Sequence, residues 1–133
     1  MAAWELYDYR DSNGKNRIAE WSRTLQKPDL ARFNRKLKML EDNGPALGPR
    51  LLAGPIEGHA HIYKLRINGR VALRPLLCKG PIKIEKEFTF LIGALEQDRK
   101  LQPPNAPSQA EDRRKEIIAD NGSHTRCKHE QVY

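Results

Sequence analysis

The sequence predicts an α+β domain: a small antiparallel or mixed sheet of about four strands, two N-terminal helices on one face and a C-terminal helix. Apolar and polar residues alternate in the first segment, and the next two segments have helical spacing. An Asn-Gly pair then joins two strand-like runs, and a helical segment follows the last strand-like run. The 133 residues are enough for one domain that buries its own core.

The N-terminal third predicts one strand and two helices. Apolar and polar residues alternate in WELYDYR, residues 4–10, as they do along a half-buried strand. Helical spacing follows over residues 16–26, and Pro28 suits the first turn of a second helix that ends at Asn43-Gly44-Pro45. The apolar stripes are Ile18, Trp21 and Leu25 in the first helix and Leu30, Phe33, Leu37 and Leu40 in the second.

Two strand-like runs, HIYKLRI and VALRPLLCK, flank Asn68-Gly69, a strong hairpin signal. A three-residue loop, 68–70, pairs Ile67 with Val71 and gives the hairpin one apolar and one polar face. The apolar face holds Tyr63, Leu65, Ile67, Val71, Leu73 and Leu77, and the polar face holds Lys64, Arg66, Ala72 and Arg74. Pro75 lacks an amide donor, so a bulge or an unpaired stretch is expected there.

The C-terminal part predicts one more strand and one helix. Residues 83–92, KIEKEFTFLI, form the strand, with Phe88, Phe90 and Ile92 on one side, and residues 93–104 fit either a short helix or a loop. A capping-box pattern at residues 108–111 opens a helix to about Asp120. Residues 122–133 show no periodicity, so the domain is expected to span residues 1–121, with a disordered tail that folding does not need.

The net charge of +7 is concentrated in the body of the chain. Residues 59–83 contain six Lys or Arg and no Asp or Glu. Such a field favours polyanionic partners, nucleic acid or an acidic protein. We expect Lys64, Arg66 and Arg74 to lie together on the sheet face that the first two helices leave uncovered. Co-facial cations without carboxylate neighbours repel one another, which favours a functional role over a merely solvated surface.

The composition of the chain predicts the cellular compartment of the protein and bears on whether it binds a metal or a cofactor. The chain contains no apolar run as long as a membrane span, and its start lacks a signal-peptide pattern. The two cysteines lie far apart and suit a reducing compartment, so a cytoplasmic protein without a membrane partner is expected. His124, Cys127 and His129 have ligand chemistry but lack a fourth ligand, so neither a metal nor a cofactor is expected.

The ordered set of segments resembles the RelE/HigB superfamily of toxins, and most closely its phage-derived, HigB-like branch. The similarity covers roughly residues 4–119 and rests on WELYDYRD, LEDNGPALG, HIYKLRINGRVALR, EFTFLIGALEQDRK and LQPPNAPSQAEDRRKEI. It implies a RelE/ParE-like fold, with helices on one side of a small sheet, and the toxin role in a type II toxin–antitoxin system. Many members cleave mRNA on the ribosome without a metal, and a cognate antitoxin, here expected to be a small helix-turn-helix protein, holds them inactive.

The resemblance also implies roles for individual residues. In this cleavage the ribose 2′-OH attacks the neighbouring phosphate, which requires a base, an acid and cations for the developing charge. Arg66 and Arg74 match positions where the family commonly places functional cations, and Lys64 completes the expected catalytic set. The residues expected to bind RNA around them are Arg99, Lys100, Lys79 and His61.

One departure from the family leaves two alternatives open. Many relatives carry a Lys-Lys-Thr run after the last strand, where this chain has Glu96-Gln97-Asp98. This difference favours either a ParE-like toxin that binds DNA gyrase, or a non-catalytic phage or prophage module that binds nucleic acid or protein. The sequence does not identify the general acid or the general base.

Overall fold

The fold combines three α-helices with two β-sheets over residues 3–133, the range that the computed structural model describes. It is an α+β fold, as predicted, with more strands than the sequence indicates. The helices are α1 (Arg17–Arg23), α2 (Lys27–Asn43) and α3 (Ala106–Ala119). The strands are β1 (Glu5–Tyr9), β2 (Leu52–Ala53), β3 (Tyr63–Leu65), β4 (Ala72–Leu73), β5 (Leu76–Lys79), β6 (Glu87–Ile92), β7 (Leu95–Gln97), β8 (Lys100–Gln102) and β9 (Arg126–Lys128).

The larger sheet is mixed and has the strand order β2-β3-β5-β6-β1-β9. In this sheet only β1 and β6 pair in parallel, and the chain between them contains α1, α2 and the strands β2 to β5. The other neighbours in this sheet pair antiparallel. A second sheet of three short strands, β4-β7-β8, forms beside the end of β5 and β6. The two sheets together carry the strongly cationic segment of the sequence.

Helices α1 and α2 cover the first face of the larger sheet. The predicted stripe of α2 is buried there against Leu6, Phe88 and Phe90. All six residues of the predicted apolar hairpin face belong to this core or pack on its border: Tyr63, Leu65, Ile67, Val71, Leu73 and Leu77. Burial of this continuous apolar surface is the main stabilising contribution to the fold.

The second face of the sheet is not uncovered, contrary to the prediction, because α3 packs on it. Ala106, Ala110 and Ile117 of α3 are fully buried against residues of β5 and β6. The small alanine side chains let the helix lie close to the sheet. Ile92 belongs to this second core and not, as predicted, to the side of Phe88 and Phe90, because the ladder is irregular opposite Leu76 and Leu77. On this face α3 packs mainly on β5 and β6.

The hairpin pairs two residues away from the predicted register. Ile67 bridges Leu73 and Lys64 pairs with Leu76, so the connection is a five-residue loop, 68–72, and not a three-residue one. Pro75 lies in a break between β4 and β5, where its carbonyl accepts from the Leu65 amide at 3.0 Å. A shift of two residues keeps every side chain on its predicted face, since strand side chains alternate with a period of two.

Residues 93–104 form neither a helix nor a loop but the hairpin β7–β8. Asp98 and Arg99 make the two-residue turn with φ of 52° and 64°, a conformation that suits the type of turn favoured in tight hairpins. The following helix begins at Ala106, and its N-cap Asn105, which makes no side-chain cap hydrogen bond, lies three residues before the predicted N-cap Ser108. The predicted capping box therefore does not form.

The C-terminal tail is ordered, which corrects the prediction of a disordered segment. Strand β9 lies at the edge of the larger sheet and pairs antiparallel with β1. Beyond it, the Val132 side chain packs against the first-face core, and the Val132 carbonyl accepts from Asn34 Nδ2 at 2.9 Å. The folded unit thus continues past residue 121.

Two buried acidic residues fix this tail to the sheet. His129 Nδ1 lies 2.9 Å from Oδ1 of the fully buried Asp8, whose Oδ2 also accepts from the Glu130 amide at 3.0 Å. Arg126 forms an ion pair with Glu87, which is 1% exposed. Polar contacts of this kind leave no periodic apolar pattern in the sequence, so the tail could not be recognised as a strand by its spacing.

Candidate functional site

A cleft of about 560 Å³ opens at the end of the second sheet face that α3 leaves free. We call it the arginine cleft. Its lining residues are Arg50, Leu51, Arg66, Asn68, Arg74 and Glu96. Three of these six side chains are guanidinium groups and one is a carboxylate, so the cleft has an excess of positive charge.

Short backbone pairings bring the cleft residues together from distant parts of the sequence. The Arg66 amide donates to the Leu51 carbonyl at 2.7 Å, which places Arg50 beside β3. The Arg74 amide donates to the Ala94 carbonyl at 2.7 Å, next to the pairing of β4 with β7 that includes Glu96. Most of the cleft residues therefore lie just beyond the ends of short strands, and backbone hydrogen bonds hold Arg66 and Arg74 in place.

Arg74 is buried and held in place, so it is not the exposed cation that the sequence predicts. Only 6% of the residue is exposed. Its Nη1 donates to the Leu73 carbonyl at 2.8 Å, and its Nη2 donates to Asn68 Oδ1 at 2.9 Å. Glu96 Oε1 lies 3.4 Å from Nε in an ion pair, but Nε makes no hydrogen bond within residues 3–133. Arg74 thus retains one buried donor that the protein does not satisfy.

The guanidinium groups of Arg50 and Arg66 have no ion pair or hydrogen bond with any residue between 3 and 133. Arg50 is exposed and Arg66 is half-buried. Leu65 and Ile67, the neighbours of Arg66, are fully buried in the first-face core, so Arg66 projects to the opposite side. Two arginines without partners beside a third create a position where an anion is stabilised.

The other predicted residues do not line the arginine cleft. Lys64 projects to the same side of the sheet as Arg66 but does not line the arginine cleft. The ammonium group of Lys79 lies 5.2 Å from the centre of the Tyr63 ring. Arg99 occupies the β7–β8 turn, Lys100 begins β8, and His61 is exposed in the loop before β3. Of the predicted catalytic set, the structure brings Arg66 and Arg74 together and leaves Lys64 apart.

Sequence reasoning did not place Arg50, Asn68 or Glu96 at the site. Arg50 lies in a Gly/Pro-rich connection whose two-residue strand β2 has no detectable periodicity. Glu96 stands where the resemblance leads one to expect a basic residue, which favours the two alternatives to cleavage. Its position beside Arg74 gives it a partner, and this pairing also corrects the expectation that the cations have no carboxylate neighbour.

Neither cysteine is set up as a nucleophile. Burial raises the pKa of the Cys78 thiol to about 12. Burial also raises the pKa of Cys127, and the charge of Asp8 acts in the same direction. Both thiols are therefore protonated near neutral pH, and the thiolate is the reactive form.

The tail residues with ligand chemistry do not form a metal site. His129 is engaged by Asp8, and His124 is exposed. Across residues 3–133, no three His, Cys, Asp or Glu side chains are grouped so that they could hold a metal ion. In the same range, no helix combines the length and the apolar composition needed to cross a membrane.

Comparison with known proteins finds no matching family model, curated protein or solved structure. The geometry of the arginine cleft is therefore the main basis for a functional assignment. A cationic cleft in which the buried Arg74 Nε has no hydrogen-bond acceptor within residues 3–133 is suited to binding an oxyanion.

Proposed function

We propose that this protein is the toxin of a type II toxin–antitoxin pair and cleaves mRNA on the ribosome, with the scissile phosphate bound in the arginine cleft. The observation that carries the proposal is the convergence of Arg50, Arg66 and Arg74 on one cleft in which two guanidinium groups have no polar partner among residues 3–133. The resemblance to RelE/HigB toxins supplies the reaction and the ribosomal setting. The cytoplasm is the compartment in which this activity would occur.

The cleft offers the electrostatic part of the reaction. When a 2′-OH attacks the phosphorus, negative charge grows on the non-bridging phosphate oxygens. Donors that are already oriented toward that position stabilise the transition state without reorganisation. Arg50 and Arg66 can each present two N–H groups to these oxygens, which lysine cannot do. Arg74, which is held by Leu73 and Asn68, fixes the floor of the cleft.

Most of the cations outside the cleft would contact the RNA on either side of the scissile phosphate. Arg99 and Lys100 are exposed on the β7–β8 hairpin, and Glu96 of the same hairpin lines the cleft. Lys64 lies on β3 and His61 shortly before it, whereas Lys79 projects to the first face with Leu77 and Tyr63, which corrects its expected role in RNA binding. Contacts with phosphates add affinity that decreases with salt, so these residues contribute to binding and not to the chemical step.

Induced expression tests the enzymatic activity. Cells that produce the protein should stop growing, and new mRNA 5′ ends should cluster inside translated codons, because cleavage requires the ribosome. The measurement is a genome-wide map of mRNA ends with and without translation. Intact mRNA together with DNA damage would instead identify the ParE-like alternative.

A neutralising partner is the second expected property. We expect an acidic or amphipathic segment of a small helix-turn-helix antitoxin, encoded beside this gene, to cover the arginine cleft or pack next to it. Co-expression should restore growth and give a complex in a pull-down. Reversing the charge of Arg50 and Arg66 should weaken that complex. A complex of unchanged strength would mean that the antitoxin binds elsewhere.

The ion pair between Arg74 and Glu96 is the observation that favours a second candidate, a non-catalytic module that binds RNA. The pair neutralises part of the positive charge that the transition state of cleavage would need, whereas RNA binding can rely on the exposed cations around the cleft. This candidate predicts that the protein binds RNA in a salt-dependent way and leaves every RNA strand intact.

A further inference from the structure

The carboxylate of Glu96 has a position that electrostatic binding of RNA does not explain. It lines the arginine cleft, its side chain is 30% exposed, and a carboxylate there opposes the binding of a phosphate. It is also the one carboxylate among the residues that line this cleft. Its presence therefore indicates a role other than affinity.

The backbone of Glu96 is held from both sides. Its strand, β7, is the middle strand of the smaller sheet, where Glu96 pairs with Ala72 of β4 and Leu101 of β8. The side chain ends 3.4 Å from Arg74 Nε in an ion pair that lacks the geometry of a hydrogen bond. Both carboxylate oxygens thus keep lone pairs for a third group, while Arg74 keeps the side chain directed into the cleft.

The lining of the cleft leaves few groups that could accept a proton. It contains no His, Lys, Tyr or Cys, and arginine stays protonated in proteins. The two histidines that precede β3 do not line the cleft. His59 is paired with Glu111 on α3, and His61 is exposed. Glu96 is the one titratable acceptor among these six residues.

We propose that Glu96 is the general base of the cleavage reaction; this inference rests on the proposed function. Glu96 removes the proton from the ribose 2′-OH, and the oxygen attacks the adjacent phosphorus. The new P–O2′ bond forms as the P–O5′ bond breaks, which leaves a 2′,3′-cyclic phosphate. The 5′-oxygen takes a proton from water, and Glu96 returns its proton to the solvent. Arg50 and Arg66 stabilise the charge on the phosphate during this step.

The variant Glu96→Gln separates this role from a purely structural one. Glutamine has nearly the same size and shape and keeps a polar group beside Arg74, but an amide cannot take the proton of the 2′-OH. Single-turnover cleavage of mRNA on purified, programmed ribosomes should fall by about 100-fold or more. Affinity for the same mRNA with a 2′-deoxyribose at the cut position should stay equal or increase, since a negative charge has been removed.

Two further variants complete the test. Glu85→Gln removes an exposed carboxylate outside the cleft and should leave cleavage unchanged. Glu96→Asp keeps a base at a shorter reach, so it should retain more activity than Glu96→Gln, and it replaces Glu96→Gln as the probe if that variant does not fold.

The outcomes distinguish the two proposals. Cleavage by Glu96→Gln within tenfold of the parent would overturn the role of Glu96 as base and leave the toxin assignment intact. Absence of cleavage by the parent protein on programmed ribosomes would overturn the proposed function and this inference together. A cut that yields ends other than a 2′,3′-cyclic phosphate and a 5′-hydroxyl would overturn the reaction as written.

Discussion

Removal of residues 123–133 should lower the free energy of unfolding by about 3 kcal/mol, because it takes away the His129 and Arg126 side chains that pair with two buried carboxylates. Asp8 is fully buried and loses His129, and Glu87 is 1% exposed and loses Arg126. β1 also becomes an edge strand with unpaired backbone groups. A loss of this size corresponds to a decrease of roughly 10 °C in the melting temperature, measured by circular dichroism.

Two control variants test whether the loss of stability comes from the buried pairs. Deletion of Tyr133 alone, which is 94% exposed, should leave the melting temperature unchanged. Glu130→Gln removes an ion pair with Arg23 in which both side chains are more than half exposed, and such pairs contribute little. A truncated protein that melts like the full chain would show that β9 does not stabilise the fold.

Arg66→Ala and Arg74→Ala should have different consequences, although the sequence places both arginines on one uncovered sheet face. Arg66 is half-buried and has no polar side-chain contact within residues 3–133, so its loss should change stability by less than about 0.5 kcal/mol. Cleavage should nonetheless fall by about 100-fold, the effect of removing one oriented donor. Lysine at position 66 should restore only part of the activity.

Arg74→Ala should reduce stability as well as activity. The substitution removes two hydrogen bonds of the buried Arg74 side chain, to the Leu73 carbonyl and to Asn68 Oδ1, and deprives Glu96 of its partner. Each lost hydrogen bond costs about 0.5–1.5 kcal/mol, although the Leu73 carbonyl still accepts from the Ile67 amide at 3.1 Å. Chemical denaturation would measure the difference between the two variants, and Arg35→Ala, an exposed arginine on α2, is the matched control. Equal stability of the Arg66 and Arg74 variants would contradict the burial described here.

Local sequence patterns predict the first face of the sheet well. Leu30, Phe33, Leu37 and Leu40 recur at helical spacing, and all four are buried in the first core. The faces of the hairpin are also correct even though its register is not. A shift of two residues changes the partners without changing the alternation, and turn residues alone do not choose between a three- and a five-residue loop.

The arginine cleft is harder to predict because its residues meet through very short strands. β2 and β4 contain two residues each, and β7 and β8 contain three each, which is too few to show a period. The sequence indicates Arg66 and Arg74 through their positions in the hairpin. The position of Arg50 depends on the pairing of β2 with β3, which no local pattern encodes.

The second face and the tail depend on contacts between distant parts of the chain. α3 is predicted as a helix, but its apolar positions are mostly small alanines, so its pattern does not indicate which face it covers. Strand β9 pairs with β1 across more than one hundred residues, and polar groups fix it in place. Patterns of apolar residues do not report such pairs.

The most direct test of the central claim is a map of mRNA ends in cells that express either the parent or the double variant Arg50→Ala/Arg66→Ala at equal levels. The claim is that these two arginines hold the scissile phosphate in the arginine cleft. The parent should give cuts inside translated codons, and the double variant, folded as judged by its melting temperature, should give none above background. Cuts of equal frequency with both proteins would contradict the claim.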